Sequence, residues 1–456
     1  MANPRPGHMH LGVFFNHTGH HIASWRHPGA QADAAINIEH YVEITQRAER
    51  AGLDFIFFAD SAAVREARPE SLSRSAQYTA YFEPITLLSA LAMVTQRIGL
   101  VATATTSYNE PYNVARKFAS LDHISHGRAG WNVVTSGNVA EAYNFGREQH
   151  FEHEERYARA REFVAVVKGL WDSWDDDAFI RDKESGRFFD PAKLHLLNHR
   201  GKFFTVRGPL NVPRPPQGYP VIFQAGTSES GRELCAAVGE GVFTSELTLA
   251  GQLEHYHDVK RRMARYGRRP EQMLILPGLT AVVGSSTSEA REKFDYLQSL
   301  IHPVVGRDYL GMLLGDVDLS NYSPDDQIPE IPSSTIAGQG TLKNIIAMAR
   351  SEKLTIRQVY ERLAGSRGKL TLVGSVTEVA DTMQEWFTAN ACDGFILQPS
   401  YLPGELNEIC ELLLPELQSR GLVRVGYTGR TLREHMGLQR APSCYADCDR
   451  GEHGSE

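Results

Sequence analysis

Short apolar runs alternate with amphipathic stretches along almost the whole chain. The apolar runs are Met9–Phe15 (MHLGVFF), Leu53–Ala59 (LDFIFFA), Ile98–Thr105 (IGLVATAT), Ala129–Thr135, Pro220–Gln224 (PVIFQ), Gly241–Ser245 (GVFTS), Met273–Val283 and Gly394–Pro399 (GFILQP). They are short and mostly rich in β-branched or aromatic residues, which is the pattern of buried strands. Between them apolar residues recur at helical spacing over Ile38–Ala51, Pro84–Thr95, Tyr112–Ile124, Glu152–Trp174, Ser230–Val238, Leu249–Tyr266, Ser288–Leu300, Val376–Asn390 and Leu406–Arg420. Eight strands alternating with helices predict an α/β chain closed as a (β/α)₈ TIM barrel with insertions.

Two stretches break the rhythm. Residues 175–219 contain Asp175-Asp176-Asp177, several Gly and Pro, and two strand-like pieces around Phe188 and Phe203; they read as a hairpin-like excursion. Residues 302–372 are rich in Gly, Pro, Asp and Ser in their first half, with helical pieces at Leu342–Arg350 and Ile356–Leu363. This second insertion is long enough to serve as a lid over the barrel. The reading is one domain over 1–440 and a polar, disordered tail over 441–456. The first strand runs into FNHTGHH without a G-x-G-x-x-G loop, which speaks against a dinucleotide-binding fold.

Composition narrows the function classes. A chain of 456 residues with 42% apolar residues supports a full core, and its net charge of -8 argues against nucleic-acid binding. The strongest basic stretch, Lys260–Arg269, is interrupted by Met, Ala and Tyr, as expected of a solvated helix face. Five scattered cysteines fit a reducing cytoplasm. No run reaches the ~20 apolar residues of a membrane helix, and no secretory signal is visible at the N-terminus.

The candidate chemistry gathers at predicted strand ends, where a parallel barrel keeps its ligands. After the first strand come His17, His20, His21 and His27. No carboxylate belongs to that cluster and its spacing is that of a loop, so a polar wall facing substrate is favoured over a metal site. Asp60 ends the second strand, as a turn carboxylate or a ligand. Thr103–Ser107 (TATTS) places four hydroxyls in five residues at the end of the third. His153 and Tyr157 stand four apart and share a helix face. Gly226–Gly231 (GTSESG) joins a strand to a helix with small and hydroxylated residues, a form suited to a phosphate or to a plain N-cap. No nucleophile has a base at recognisable spacing, which suits a bound cofactor that supplies the reactivity.

The block Gly127–Asn138 (GRAGWNVVTSGN), NFG at Asn144–Gly146, HEERYARAREF from His153, LWDSW at Leu170–Trp174, DGFILQP at Asp393–Pro399 and YTGRTLREHMGL at Tyr427–Leu438 closely resemble the bacterial luciferase superfamily. The resemblance is to its nitrilotriacetate and dibenzothiophene-sulfone monooxygenase branch, and it runs from about residue 8 to 438.

It implies a two-component, FMN-dependent monooxygenase, usually a homodimer or a dimer of dimers. Reduced FMN would come from a separate NAD(P)H-dependent flavin reductase and, with O₂, oxygenate a small molecule. The family's flavin contacts map onto Asp60, Thr103, His153, Tyr157 and Ser228, with Asn132 of GWN beside the ring and Tyr157 and Ser228 at the phosphate. By position, His17, His20 and His21 are the candidates for protonating or stabilising the oxygenating species. The HTGHH loop lacks the Lys or Arg cluster suited to a polyanionic chelate, which leans toward an organosulfur or aromatic substrate. A deazaflavin-dependent oxidoreductase on the same fold and a flavin-binding protein without turnover are the alternatives. A barrel hydrolase would need two opposed carboxylates, for which Asp60 and Glu83 are the only ready pair, and Glu83 reads as a helix start before Pro84.

Overall fold

The computed structural model describes residues 7–65, 67–76, 79–315, 317–331, 340–364 and 369–445. Its strands, in chain order, are β1 (His10–Phe14), β2 (Phe55–Phe58), β3 (Gly99–Thr105), β4 (Ala129–Val134), β5 (His199–Arg200), β6 (Thr205–Val206), β7 (Val221–Ala225), β8 (Gly241–Thr244), β9 (Leu274–Gly284), β10 (Leu370–Ser375) and β11 (Gly394–Leu397). Eight of them close a parallel ring in the order β9-β11-β1-β2-β3-β4-β7-β8, with β8 pairing back to β9. This is the expected (β/α)₈ barrel.

Helices start where the sequence supplies a partner for their first backbone N–H groups. Asn37, Ser228, Thr248, Ser286, Ser375 and Thr431 each cap a helix with a side-chain oxygen. Pro84, Pro111 and Pro303 open others, where the missing N–H costs nothing. The long helix expected over Glu152–Trp174 runs from His153 to Trp171.

Alternation along the strands sorts the side chains. Phe55, Phe57, Val101, Val221, Phe223, Leu276 and Ile396 fill the barrel. Trp131 points outward and packs against Phe118, Phe163 and Trp171. At the amino-terminal end of the strands, Leu432 plugs the ring: a β-carbon on Gly99 would lie 2.4 Å from it, and its N–H donates to Gly127 O at 2.9 Å.

Beside this plug the Arg128 guanidinium is buried and donates to Ser125 O, Thr95 Oγ1, Ile98 O, Ala92 O and Thr95 O. Asp122 accepts from Ala129 N and from Gln217, and burial pushes its carboxyl up to about 6. Much of the LDHISHGRAGW and YTGRTLREH signature therefore closes the bottom of the barrel, away from the mouth.

The structure adds one strand to the expected set. β10 begins inside the stretch read as the second insertion and pairs with β9 from Leu370↔Leu279 to Ser375↔Gly284. β9 is eleven residues long, longer than its ring partners, so its outer half would present bare backbone groups without β10. The first excursion holds the antiparallel pair β5–β6 on either side of Phe203, while the strand-like piece expected around Phe188 forms no strand. In the second, helices Pro303–Leu313, Gly340–Ser351 and Ile356–Ala364 build a core of their own, which Ile22 and Ala23 of the β1 loop join. Parts of the expected lid, 332–339 and 365–368, lie outside the described residues. Residues 441–445 of the expected disordered tail are docked, with Cys444 N donating to Asp172 Oδ2 at 2.9 Å; 446–456 lie outside the described residues. Among the described residues no helix is long and apolar enough to cross a membrane.

Candidate active site

The mouth of the barrel, at the carboxyl ends of the strands, collects most of the expected residues. Thr103 and Asn132 are register partners on β3 and β4 and both are buried. Asn132 Nδ2 donates to Thr103 Oγ1 at 2.8 Å, and Thr103 Oγ1 donates to Phe58 O at 2.8 Å. Asn132 Oδ1 is buried with no donor among the described residues. A stranded buried carbonyl costs about 1–3 kcal/mol, so a ligand N–H or O–H is the natural partner.

Asp60 follows β2 and accepts from Tyr81 OH at 3.1 Å. Burial, aided by the nearby charges of Glu83 and Glu141, pushes its carboxyl up to about 6 against the Tyr81 hydrogen bond. Glu83 itself is spent as a helix cap, accepting from Ile85 N at 3.0 Å and Thr86 N at 2.7 Å. The carboxylate pair that a barrel hydrolase would need is therefore absent at these two positions.

Two helix N-termini meet beside this centre. Ser230 Oγ donates to Glu154 Oε1 at 2.9 Å, which ties the start of helix Glu229–Val238 to the start of helix His153–Trp171. Tyr157 is buried, and the rings of His153 and Tyr157 lie 4.9 Å apart; His153 is largely exposed. Ser228 Oγ accepts from Gly231 N at 3.2 Å, leaving its O–H to donate. Gly226 must be glycine here, because a β-carbon would sit 2.8 Å from Gly231 Cα. The backbone N–H groups and hydroxyl at the start of helix Glu229–Val238 suit an anion, and Tyr157 lies in the first turns of the helix tied to it through Glu154 and Ser230.

The three histidines separate. His21 is fully buried: its Nδ1 accepts from Ala23 N at 3.1 Å, so Nε2 carries the hydrogen and donates to Gln298 Oε1 at 3.0 Å. One ring nitrogen braces the loop on itself and the other holds it against helix Thr287–Ser299. His17 lies against Tyr81, with ring centroids 5.1 Å apart. His20 packs edge-on to Phe14 at 4.5 Å, and its Nε2 reaches Phe14 O at 2.9 Å. Of the three, His20 rests on the aromatic lining of the mouth.

The sequence model of the luciferase-like monooxygenases matches residues 17–391. The chain belongs to this family. It is 49% identical to nitrilotriacetate monooxygenase component A of Aminobacter aminovorans, over 96% of this chain and 98% of that protein. It is 48% identical to N-acetyl-S-(2-succino)cysteine monooxygenase of Bacillus subtilis, again over 96% and 98%. The crystal structure of DmoA from Hyphomicrobium sulfonivorans superposes with a TM-score of 0.86 at 30% identity, covering 99% of this chain and 97% of that one. The protein is thus a luciferase-like monooxygenase acting on a small organic substrate.

Within this monooxygenase, several positioning residues escaped the sequence reading. Glu141 is buried and accepts from Ser61 Oγ at 3.0 Å and Ser136 Oγ at 2.7 Å, which joins the loops after β2 and β4. A carboxylate receiving the Ser136 proton makes Thr105 the donor in the 2.7 Å contact between Thr105 and Ser136. His150 and Arg156 hold the Ser136 carbonyl, where the backbone turns through a positive φ of 53°. The partners of this turn come from helix Ala140–Asn144, from the start of helix His153–Trp171 and from the segment between them, so no single local run announces them.

Proposed function

We propose that the mouth holds FMN, with Thr103 and Asn132 beside the ring system, Asp60 at its polar edge, and Ser228, Tyr157 and His153 at the phosphate. Support comes from the buried Asn132 Oδ1, which has no donor among the described residues, and from the anion-suited helix start at Ser228. Reduced FMN would supply the electrons that activate O₂, one oxygen atom entering the substrate and the other leaving as water. The chain's own part is to orient the flavin, keep the mouth dry and present a proton donor. His20 is the candidate for that donor because of its place above Phe14.

The reduced flavin is proposed to come from an NAD(P)H-dependent reductase as a second component, in keeping with the "component A" relative. A homodimer and a cytoplasmic location complete the proposal. The insertion over 302–372 is proposed to shield the mouth. Arg68, in the segment after β2, pairs with Asp308 and, at 3.0 Å, with Asp318, which anchors the insertion there.

The decisive experiment mixes the protein with FMN, a flavin reductase, NADH, ¹⁸O₂ and, as candidate substrates, nitrilotriacetate and N-acetyl-S-(2-succino)cysteine after the two relatives, and follows flavin binding by fluorescence and product by mass. FMN uptake with one labelled oxygen in the product is the expected result. Failure to bind FMN, or products without label, would refute the proposal.

A further inference from the structure

The mouth carries a second group of side chains, on the β8–β9–β11 side of the ring. Phe243, next to the end of β8, turns its ring inward and packs edge-on to Phe14 at 6.5 Å and 85°. Gly278 of β9 makes room for it: a β-carbon there would lie 2.6 Å from the ring and 3.0 Å from Gln398 Oε1. Lys369 stands half-buried immediately before β10, with Nζ 4.9 Å from the centroid of the same ring. Its place is fixed by the register Leu370↔Leu279, which sets Lys369 beside Gly278.

Gln398 provides the independent observation. It follows β11, its backbone N–H donates to Leu279 O at 2.8 Å, and only 2% of it is exposed. Its Oε1 is buried with no donor among the described residues. A cation and an orphaned acceptor therefore converge on one aromatic ring that faces the mouth.

We infer that Lys369, Phe243 and Gln398 form the substrate subsite of this oxygenase, and that its substrate is a small organic carboxylate bearing an N–H or O–H donor. The ammonium of Lys369 pairs with the carboxylate, Gln398 Oε1 accepts from the donor, and the Phe243 face packs against the carbon skeleton between them. The inference rests on the reading of this mouth as a flavin-dependent oxygenation site. The HTGHH loop indeed carries no Lys or Arg; the cation arrives from β10, a strand that the sequence pattern did not reveal. A merely packed lysine over an aromatic ring would contribute about 0.5–1 kcal/mol and confer no preference for acids.

The test titrates S-carboxymethyl-N-acetylcysteine, a diacid with an amide N–H, and its neutral diamide into the protein by calorimetry, with and without FMN. The wild-type chain should bind the diacid about tenfold or more tighter than the diamide, as a charge-assisted contact provides. Lys369→Met should lose that preference, Lys369→Arg should keep most of it, and Gln398→Met should weaken the diacid while leaving the charge preference intact. FMN affinity should be equal in all four proteins. Equal diacid binding by wild type and Lys369→Met would overturn the inference, as would a wild-type chain that takes the diamide as well as the diacid. Failure of every protein to take up FMN would strike the flavin reading alone, because the diacid preference is read separately in the flavin-free titration.

Discussion

Asn132 Nδ2 donates to Thr103 Oγ1 at 2.8 Å, and this one contact fixes which end of the Asn132 amide faces the mouth. Thr103 cannot reverse it, because its own proton is committed to Phe58 O. The amide oxygen is thereby buried and left without a donor among the described residues. The fold carries a local cost that a ligand relieves, which is how a rigid barrel makes a site selective for hydrogen-bond donors.

Asn132→Ala should therefore weaken FMN binding about tenfold or more, the worth of one to two buried hydrogen bonds. The flavin-free protein should lose only about 1 kcal/mol, since the Nδ2 hydrogen bond to Thr103 is lost together with the unsatisfied oxygen. Fluorescence titration and thermal unfolding read the two effects. A variant with wild-type FMN affinity would show that the amide does not meet the flavin.

Ser228 and Tyr157 are expected at the phosphate, so their variants should discriminate between flavins. Tyr157→Phe should reduce FMN affinity while leaving riboflavin affinity unchanged. Ser228→Ala should do the same and in addition cost about 1 kcal/mol of stability through the lost cap on Gly231. Equal losses for FMN and riboflavin would place both residues elsewhere on the cofactor.

Asp60 should impose a pH dependence. Burial pushes its carboxyl up to about 6, so it is neutral below that pH and ionised above. An ionised carboxylate is the stronger acceptor, so flavin affinity should rise between about pH 5 and 7 and be flat in Asp60→Asn. In the flavin-free chain the sign is opposite. The folded state holds the Asp60 proton more tightly than the unfolded state, so this residue's contribution to stability declines as pH rises from about 4 through 6. Isothermal denaturation across that window, wild type against Asp60→Asn, measures it.

The two histidines His20 and His21 should part company on substitution. His21→Ala removes a fully buried ring whose two nitrogens are both bonded, and should destabilise by about 2 kcal/mol or more. His20→Asn should fold normally but form less product per NADH consumed. Normal coupling in His20→Asn would remove it from the catalytic candidates.

Arg68→Ala should loosen the insertion from the segment after β2 without touching the barrel. The expected result is a wild-type flavin affinity with lower product yield and more hydrogen peroxide, as water reaches the mouth. An unchanged ratio of product to NADH would separate this contact from the shielding of the site.

The chain's own pattern determined the eight-stranded barrel, its helices and the two breaks, because strand burial and helical spacing are written in neighbouring residues. It also singled out the hydroxyls of Thr103–Ser107, the shared face of His153 and Tyr157 and the Gly226–Gly231 turn as candidates, because strand ends and helix starts are locally written, whereas Asn132 was pointed to by the family resemblance alone. Tertiary structure decided what depends on partners distant in the chain. It gave His21 a structural task through Gln298, spent Glu83 on a helix cap that the Glu-Pro pair already suggested, and put much of the LDHISHGRAGW signature at the bottom of the barrel. Above all it laid β10 along the overlong β9 and so carried Lys369 to Phe243. The order of hydrogen-bonded neighbours in a closed parallel sheet is a property of the ring, and no local run of residues encodes it.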